Sequence, residues 1–358
     1  MLIAGIGLAI TVRYLYVNVL KPTAPRFKRG AIVGKFYPPH KGHGYLIEKA
    51  LSMCDKLTVI VCFKSHERPT GSQRGEWIRQ IHGNDRLEVL VKENIYNDDA
   101  NSKLWADLTK EFLGYTPDVV FTSELYGEKW AEYLGCKHVL VDLKRVQHSI
   151  SGTAVRSDPF GNFDQLHPIV RQYYSKQVCI IGAESTGKTI LSNRLAMHYF
   201  GAGIVGEYGR EKTMQNLEER GVQEKGKDFE TPEWRSEDFL EIATVQNDRV
   251  EQAMGESPLV FSDTNAMVTQ IWHERYMGYE SPDLNEYIKN KMHEPDLYLL
   301  CVVDGVPFVQ DGTRGKPHTT TGYNILYKTN KYVYDEINRR RRENACLDGQ
   351  TISRCFQK

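Results

Sequence analysis

The chain of 358 residues carries 46 Lys and Arg against 46 Asp and Glu, and 41% of it is hydrophobic. This length suits two α/β domains better than a single core, and the zero net charge speaks against a general polyanion binder. Seven cysteines with no CxxC pair and no His-x-His partner at zinc spacing argue against a disulfide framework or structural zinc, and fit a reducing cytoplasm.

The opening run MLIAGIGLAITV is apolar, is broken by Arg13, and resumes as YLYVNVL before Lys21 and Pro22. It lacks the basic start and small-residue cleavage site of a signal peptide. As a membrane span it stands at the lower length limit with an arginine in its middle. Three readings stay open for the leader and linker at 1–28: an extra strand or unstructured leader, weak membrane association through residues 1–20, or a start-site artefact.

From residue 30, apolar runs rich in β-branched residues alternate with amphipathic stretches. The pattern predicts strands over 30–36, 56–63, 86–94, 118–124 and 137–142, with helices over 42–54, 74–83, 104–115 and 128–135 between them. Buried parallel strands with crossover helices make a doubly wound sheet. Prolines and aromatics in SDPFGNFDQLHPIVRQYYSK break the rhythm, and 159–176 reads as a linker. A second unit opens with QVCIIG and continues through AGIVGEYGRE, a polar helical insertion over 212–256, the strand PLVFSDT, a helix and the strand DLYLLCVVD. The expected fold class is α/β, with two doubly wound parallel-sheet domains at 29–158 and 177–345. A helix is expected over 330–345, with Arg339 to Arg342 on a solvated face rather than a nucleic-acid patch, and 346–358 reads as an irregular tail.

GAESTGKT at 182–189 matches G-x-x-x-x-G-K-[ST] between an apolar strand and a helix. Such a loop, here Gly182, Ala183, Glu184, Ser185, Thr186 and Gly187, turns several N–H groups toward one phosphate at the positive end of a helix. Lys188 adds charge near the β- and γ-phosphates, and the Thr189 hydroxyl is placed to ligate Mg²⁺. Asp263 closes the strand PLVFSDT, where an acidic group would meet the metal or the acceptor hydroxyl; the plainer alternative is an N-cap for the next helix. Glu207, Tyr208 and Arg210 in GEYGRE fall where a kinase acceptor pocket would lie, or simply face solvent. Asp311 and Arg314 in FVQDGTRGKPH sit on a Gly-rich loop. It is either a lid whose arginine neutralises a transferring phosphoryl group, or a surface turn.

YPPHKGH at 37–43 sets His40 and His43 around Gly42 where a strand becomes a helix. No Lys-Thr pair follows, so this is not a second P-loop. Two imidazoles at a helix N-terminus can hydrogen-bond an α-phosphate and stabilise charge at pentavalent phosphorus. A metal site lacking a third ligand and a pair of structural histidines are the alternatives. Downstream, SISGTAVRSDP carries [ST]-x-T-x-x-R at Ser151, Thr153 and Arg156. H-x-G-H followed by this motif resembles the signature pair of the nucleotidylyltransferase superfamily.

The ordered set GKFYPPHKGHGYLIEKA, PDVVFTSELYG, VDLKRVQHSISGTAVR, GAESTGKT, EYGRE, FSDT and DGTRG resembles the NadR family, over about residues 28–325. That family joins a nicotinamide mononucleotide (NMN) adenylyltransferase to a ribosylnicotinamide kinase. The resemblance implies that Gly34, Lys35, Phe36, Tyr37, His40, Gly42, His43, Ser151, Gly152, Thr153 and Arg156 line an ATP/NAD site. Arg156 would hold the pyrophosphate leaving group, and Trp105 would stack on the nicotinamide ring, unless it is a core residue. The second domain would phosphorylate nicotinamide riboside with ATP and Mg²⁺. The resemblance implies no zinc, no tightly bound organic cofactor and no nucleic acid, and it is compatible with a homo-oligomer.

Two departures qualify the resemblance. Some relatives carry an N-terminal helix-turn-helix; about 28 mostly apolar residues precede the first strand here, so DNA binding is not expected as the main function. Relatives also continue past the lid with a helix, a last strand and a final helix, and ENACLDGQTISRCFQK does not match that unit. This leaves the first half complete and the kinase half weakened or lost. The readings carried forward are a bifunctional salvage enzyme, an adenylyltransferase whose P-loop half senses nucleotides, and a membrane-associated regulator coupled to nicotinamide riboside uptake.

Overall fold

A computed structural model describes residues 27–96, 98, 100–219 and 234–302. Residues 1–26 of the leader, Asp311, Arg314, the helix expected over 330–345 and the tail all lie outside the described residues, while Phe27 and Lys28 already belong to the first strand. The chain divides into two compact units between Val170 and Arg171.

In the first unit, five strands pair in parallel: β1 (Phe27–Gly34), β2 (Cys54–Phe63), β3 (Leu87–Glu93), β4 (Val119–Thr122) and β5 (Lys137–Leu140). Helices α1 (Lys41–Met53), α2 (Gly71–Ile81), α3 (Ser102–Leu113) and α4 (Gly127–Leu134) connect them, and the short α5 (Gly152–Ser157) follows. Successive strand residues face opposite sides. Ile32 therefore packs with Leu46, Ile47, Leu57 and Ile78, while Ala31 packs with Val120, Trp130 and Leu134. With helices on both faces, the central strands β1, β2 and β4 carry continuous buried runs.

The sheet order is β3-β2-β1-β4-β5. The chain winds outward from β1 and then returns to β4, so β1 and β4 flank a topological switch point. In open parallel sheets the crevice beyond the strand ends at such a point is where ligands bind. The β1–α1 turn, with both histidines, lies at that place.

The second unit pairs β6 (Lys176–Gly182), β7 (Gly203–Val205), β8 (Leu259–Asp263) and β9 (Leu297–Cys301) in parallel, in the order β7-β8-β6-β9. Helix α6 (Pro168–Tyr174) precedes β6, and α7 (Lys188–His198), α8 (Tyr208–Glu219), α9 (Ser236–Glu256), α10 (Ala266–Met277) and α11 (Pro282–Asn290) follow in turn. Cys179 and Ile181 of β6 pack on Met267, Val268 and Ile271 of α10.

Three expectations change. The stretch read as a linker holds a 3₁₀ turn at Phe163–Gln165 and α6. The helical insertion begins earlier, at Tyr208, and is two helices, α8 and α9. Helix α11 was not anticipated, although Ser281 caps it, Pro282 starts it, and Leu284 and Ile288 bury one stripe. No helix among the described residues is long and apolar enough to cross a membrane.

Candidate functional site

The turn after β1 converts two histidines into a helix cap. The His43 amide donates to His40 Nδ1 (3.4 Å) and the His40 amide to His43 Nδ1 (3.3 Å), a reciprocal capping box at the start of α1. Each Nδ1 is thereby an acceptor, so in the neutral ring the proton resides on Nε2, as the hydrogen-bond pattern assigns it. The rings stack with centroids 3.7 Å apart, and Phe36 lies 4.9 Å from His43.

Burial foremost, then the charges of Arg145 and His148, lower the His40 pKa to about 4. Burial, His40 and Arg145 hold His43 well below the ordinary imidazole range. Two uncharged N–H donors thus stand at the positive end of a helix. A cleft of about 160 Å³ beside them is also lined by Tyr45, Glu48, His82, His148 and His167. Sequence reading did not single out these five residues or Arg145, because no spacing rule links such distant positions.

The second motif meets the first at Tyr37. Ser151 caps α5, its hydroxyl accepting from the Ala154 amide (3.1 Å). Arg156 donates to the Tyr37 carbonyl (2.5 Å) and to the Thr153 hydroxyl (3.2 Å), and its guanidinium lies 4.4 Å from the centre of the Tyr37 ring. A Cβ at Gly152 would stand 2.5 Å from that same carbonyl oxygen, so only glycine permits this approach. His40, His43, Gly42, Phe36, Tyr37, Ser151, Gly152, Thr153 and Arg156 therefore belong to one neighbourhood. Gly34 ends β1, where a Cβ would press on the Phe36 ring at 3.1 Å, and Lys35 is exposed. Trp105 is half-buried and packs against the cluster of Ala31, Ala106 and Trp130.

In the second unit the loop after β6 has the backbone of a phosphate cradle. Gly182, Ser185 and Gly187 take φ values of 146°, 63° and 83°, and a Cβ on Gly182 would collide with the Cys301 carbonyl. The Lys188 ammonium donates to the Ala183 carbonyl (3.0 Å), which also accepts from the Thr186 hydroxyl (2.8 Å). The Thr189 hydroxyl donates to Asp263 Oδ2 (2.6 Å), while Oδ1 is buried with no hydrogen-bond partner.

That orphaned oxygen fits a small hard cation. Mg²⁺ takes one or two carboxylates and fills its shell with water and phosphate oxygens, so it does not need a crowded protein cage. Among the described residues no three His, Cys, Asp or Glu side chains gather to hold a metal on their own. Asp263 is not the cap of α10; Asn265 is, accepting from the Val268 amide.

The acceptor side is less uniform. Glu207, two residues after β7, has its pKa raised, chiefly by burial and further by Asp263 and Glu184, while Lys188 and Arg210 oppose the shift. Tyr208 is buried; its hydroxyl donates to Glu241 (2.9 Å) and Arg249 covers its ring. Arg210 is exposed, and Glu184 lies in the loop itself.

Comparison with known proteins bears on the second unit and on the family of the whole chain. A family model described as an AAA domain matches residues 177–338. The trifunctional NAD biosynthesis/regulator protein NadR of Escherichia coli (strain K12) is 30% identical over 311 residues, covering 81% of this chain and 73% of that protein. The protein of the same name from Salmonella typhimurium is 29% identical over 304 residues, covering 80% and 71%. A solved NadR structure in complex with NR superposes with a TM-score of 0.59 at 21% identity, covering 88% of each chain. Another, in complex with NAD and AMP-PNP, gives 0.59 at 19% identity, covering 94% of this chain and 100% of that one. At these identities the two structures speak to the fold alone.

Proposed function

The chain belongs to the NadR family, and from that premise we propose that it carries out two consecutive reactions of NAD biosynthesis at two separate sites. In the first unit, a phosphate oxygen of NMN attacks the α-phosphorus of ATP. The bond to the β-phosphate oxygen breaks, giving NAD and pyrophosphate. No covalent enzyme intermediate is needed; the barrier is the repulsion and alignment of two anions. His40 and His43 direct Nε2–H toward the α-phosphate, and Arg156 takes the charge that builds on the leaving pyrophosphate.

In the second unit, a hydroxyl of nicotinamide riboside attacks the γ-phosphorus of ATP, giving NMN and ADP. The 182–189 loop cradles the phosphates, with Lys188 moving from the Ala183 carbonyl to the β- and γ-oxygens. Asp263 and the Thr189 hydroxyl would hold Mg²⁺, which would supply charge neutralisation to the transferring phosphoryl group. Glu207, near Lys188 and Asp263, would hold the acceptor hydroxyl and take its proton, and burial, which raises its pKa, favours that role.

The observation that carries this reading is the coexistence of two different anion cradles. One is built from neutral imidazole donors with an arginine, the other from a glycine-rich loop with a lysine and a buried carboxylate. The purified chain is tested with ATP and Mg²⁺, supplied with either NMN or nicotinamide riboside, following NAD, pyrophosphate and ADP. NAD from NMN and ADP from the riboside are expected. Absence of NAD from NMN would sink the first assignment. NAD from NMN without ADP from the riboside would make the P-loop unit a nucleotide-binding module.

A further inference from the structure

Arg74 belongs to no motif in the sequence, yet it is the only Lys or Arg buried among the described residues. Removing a guanidinium from water is costly unless its N–H groups are met. Its Nε donates to the Thr70 carbonyl (3.2 Å), one Nη to the Lys35 carbonyl (2.8 Å) and the other to Glu67 Oε2 (2.7 Å). Glu67 is itself held by the Lys64 amide (3.1 Å). The Arg74 Cζ lies 4.6 Å from the centre of the Tyr37 ring.

That ring is the one on which Arg156 rests, and the Tyr37 carbonyl is an acceptor of Arg156. The Tyr37 hydroxyl accepts from the Arg68 amide (3.3 Å), and Gly152 closes against the carbonyl. Tyr37 is thus fixed at ring, hydroxyl and carbonyl. A buried arginine bears through it on the exposed arginine of the S-x-T-x-x-R motif. An apolar side chain could fill the volume of Arg74 without burying a charge. What arginine alone supplies is a planar fork that reaches Lys35 and Glu67 while stacking on an aromatic ring.

We propose that Arg74 is a positioning residue for adenylyl transfer: it locks Tyr37 so that Arg156 presents its guanidinium to the leaving pyrophosphate. This rests on the adenylyl-transfer reading above and adds to it a residue outside every motif. Arg74→Lys keeps a cation against Glu67 and removes the fork. Tyr37→Leu leaves the buried ion pair intact, keeps the main-chain carbonyl and removes the ring. Each lowers kcat/KM for NAD formation roughly tenfold, through kcat and the KM for ATP, with the KM for NMN unchanged within about twofold.

In an Arg156→Ala chain, adding Arg74→Lys lowers the rate by less than about twofold more, because the group it positions is gone. Titrating inorganic pyrophosphate into chains that also carry Lys188→Ala reads the same cycle without turnover. There Arg74→Lys weakens binding roughly tenfold when Arg156 is present and leaves it unchanged when Arg156 is absent. Losses that multiply across either cycle overturn the positioning role, as does an Arg74→Lys chain with wild-type kcat, ATP KM and pyrophosphate affinity. A wild-type chain that makes no NAD overturns adenylyl transfer alone, and the pyrophosphate cycle then still decides for or against Arg74.

Discussion

Replacing His40 by Asn separates the capping duty of this side chain from its titration. Asn keeps a side-chain oxygen able to accept the His43 amide, as good N-caps do, but takes up no proton. In the wild type, burial and then the charges of Arg145 and His148 lower the His40 pKa from 6.5 to about 4. The unfolded chain therefore binds this proton below pH 6.5, whereas the folded chain refuses it until about pH 4. Stability from this group is full above the unfolded pKa and is lost as pH falls between the two values. Between about pH 7 and pH 5 the loss is about 2 kcal/mol, from roughly 1.4 logarithmic units of differential protonation at about 1.4 kcal/mol each. His43, shifted in the same direction, adds to it. Urea unfolding at both pH values, read by hydrogen exchange on peptides from β1 and β2, isolates the first unit. The wild type should lose about 2 kcal/mol more than His40→Asn on acidification. Equal losses in the two chains would refute the claim that the folded turn excludes the proton.

Three further outcomes test the site assignments. His43→Ala should lower NAD formation by about 10²-fold or more and spare riboside phosphorylation, with Lys188→Ala doing the reverse; loss of both activities in either folded variant would contradict two separate sites. Gly152→Ala places a Cβ 2.5 Å from the Tyr37 carbonyl, the acceptor of Arg156. It should reduce NAD formation by roughly tenfold or more in steady-state kinetics, and an unchanged rate would show that the contact is dispensable. Asp263→Asn should raise the Mg²⁺ concentration needed for half-maximal riboside phosphorylation by about tenfold or more; an unaltered Mg²⁺ titration would place the metal elsewhere.

Much of this organisation was legible because it is local. β-branched apolar runs marked the strands, and the 182–189 loop declared itself by glycine, lysine and threonine at fixed offsets. The β1 boundary shifted for a reason that patterning does not carry: Lys35 and Phe36 leave the strand, and Phe36 takes a φ of 46° to turn the chain toward the histidines. The boundary between the units falls inside the segment read as a linker, but its helix α6 has only seven residues, too short for a clear helical period. The Tyr208 hydroxyl is engaged by Glu241, 33 residues away in sequence, a contact that no local pattern carries. Arg74 was invisible for the same reason. Its partners Lys35, Glu67 and Tyr37 come from two different turns, and only the fold brings them together.

The contact between Lys188 and the Ala183 carbonyl bears on how the proposed phosphate cradle would discriminate. Its ammonium already has an acceptor within its own loop, the Ala183 carbonyl, so an arriving anion exchanges with an internal competitor rather than meeting a free cation. Affinity is measured against that carbonyl. A weakly basic monoanion gains little from the swap, whereas a polyphosphate brings several charges and engages the loop amides at the same time. On the proposed reading, a ligand of this loop must offer Lys188 more than the Ala183 carbonyl does, a threshold that would favour polyphosphates over small anions.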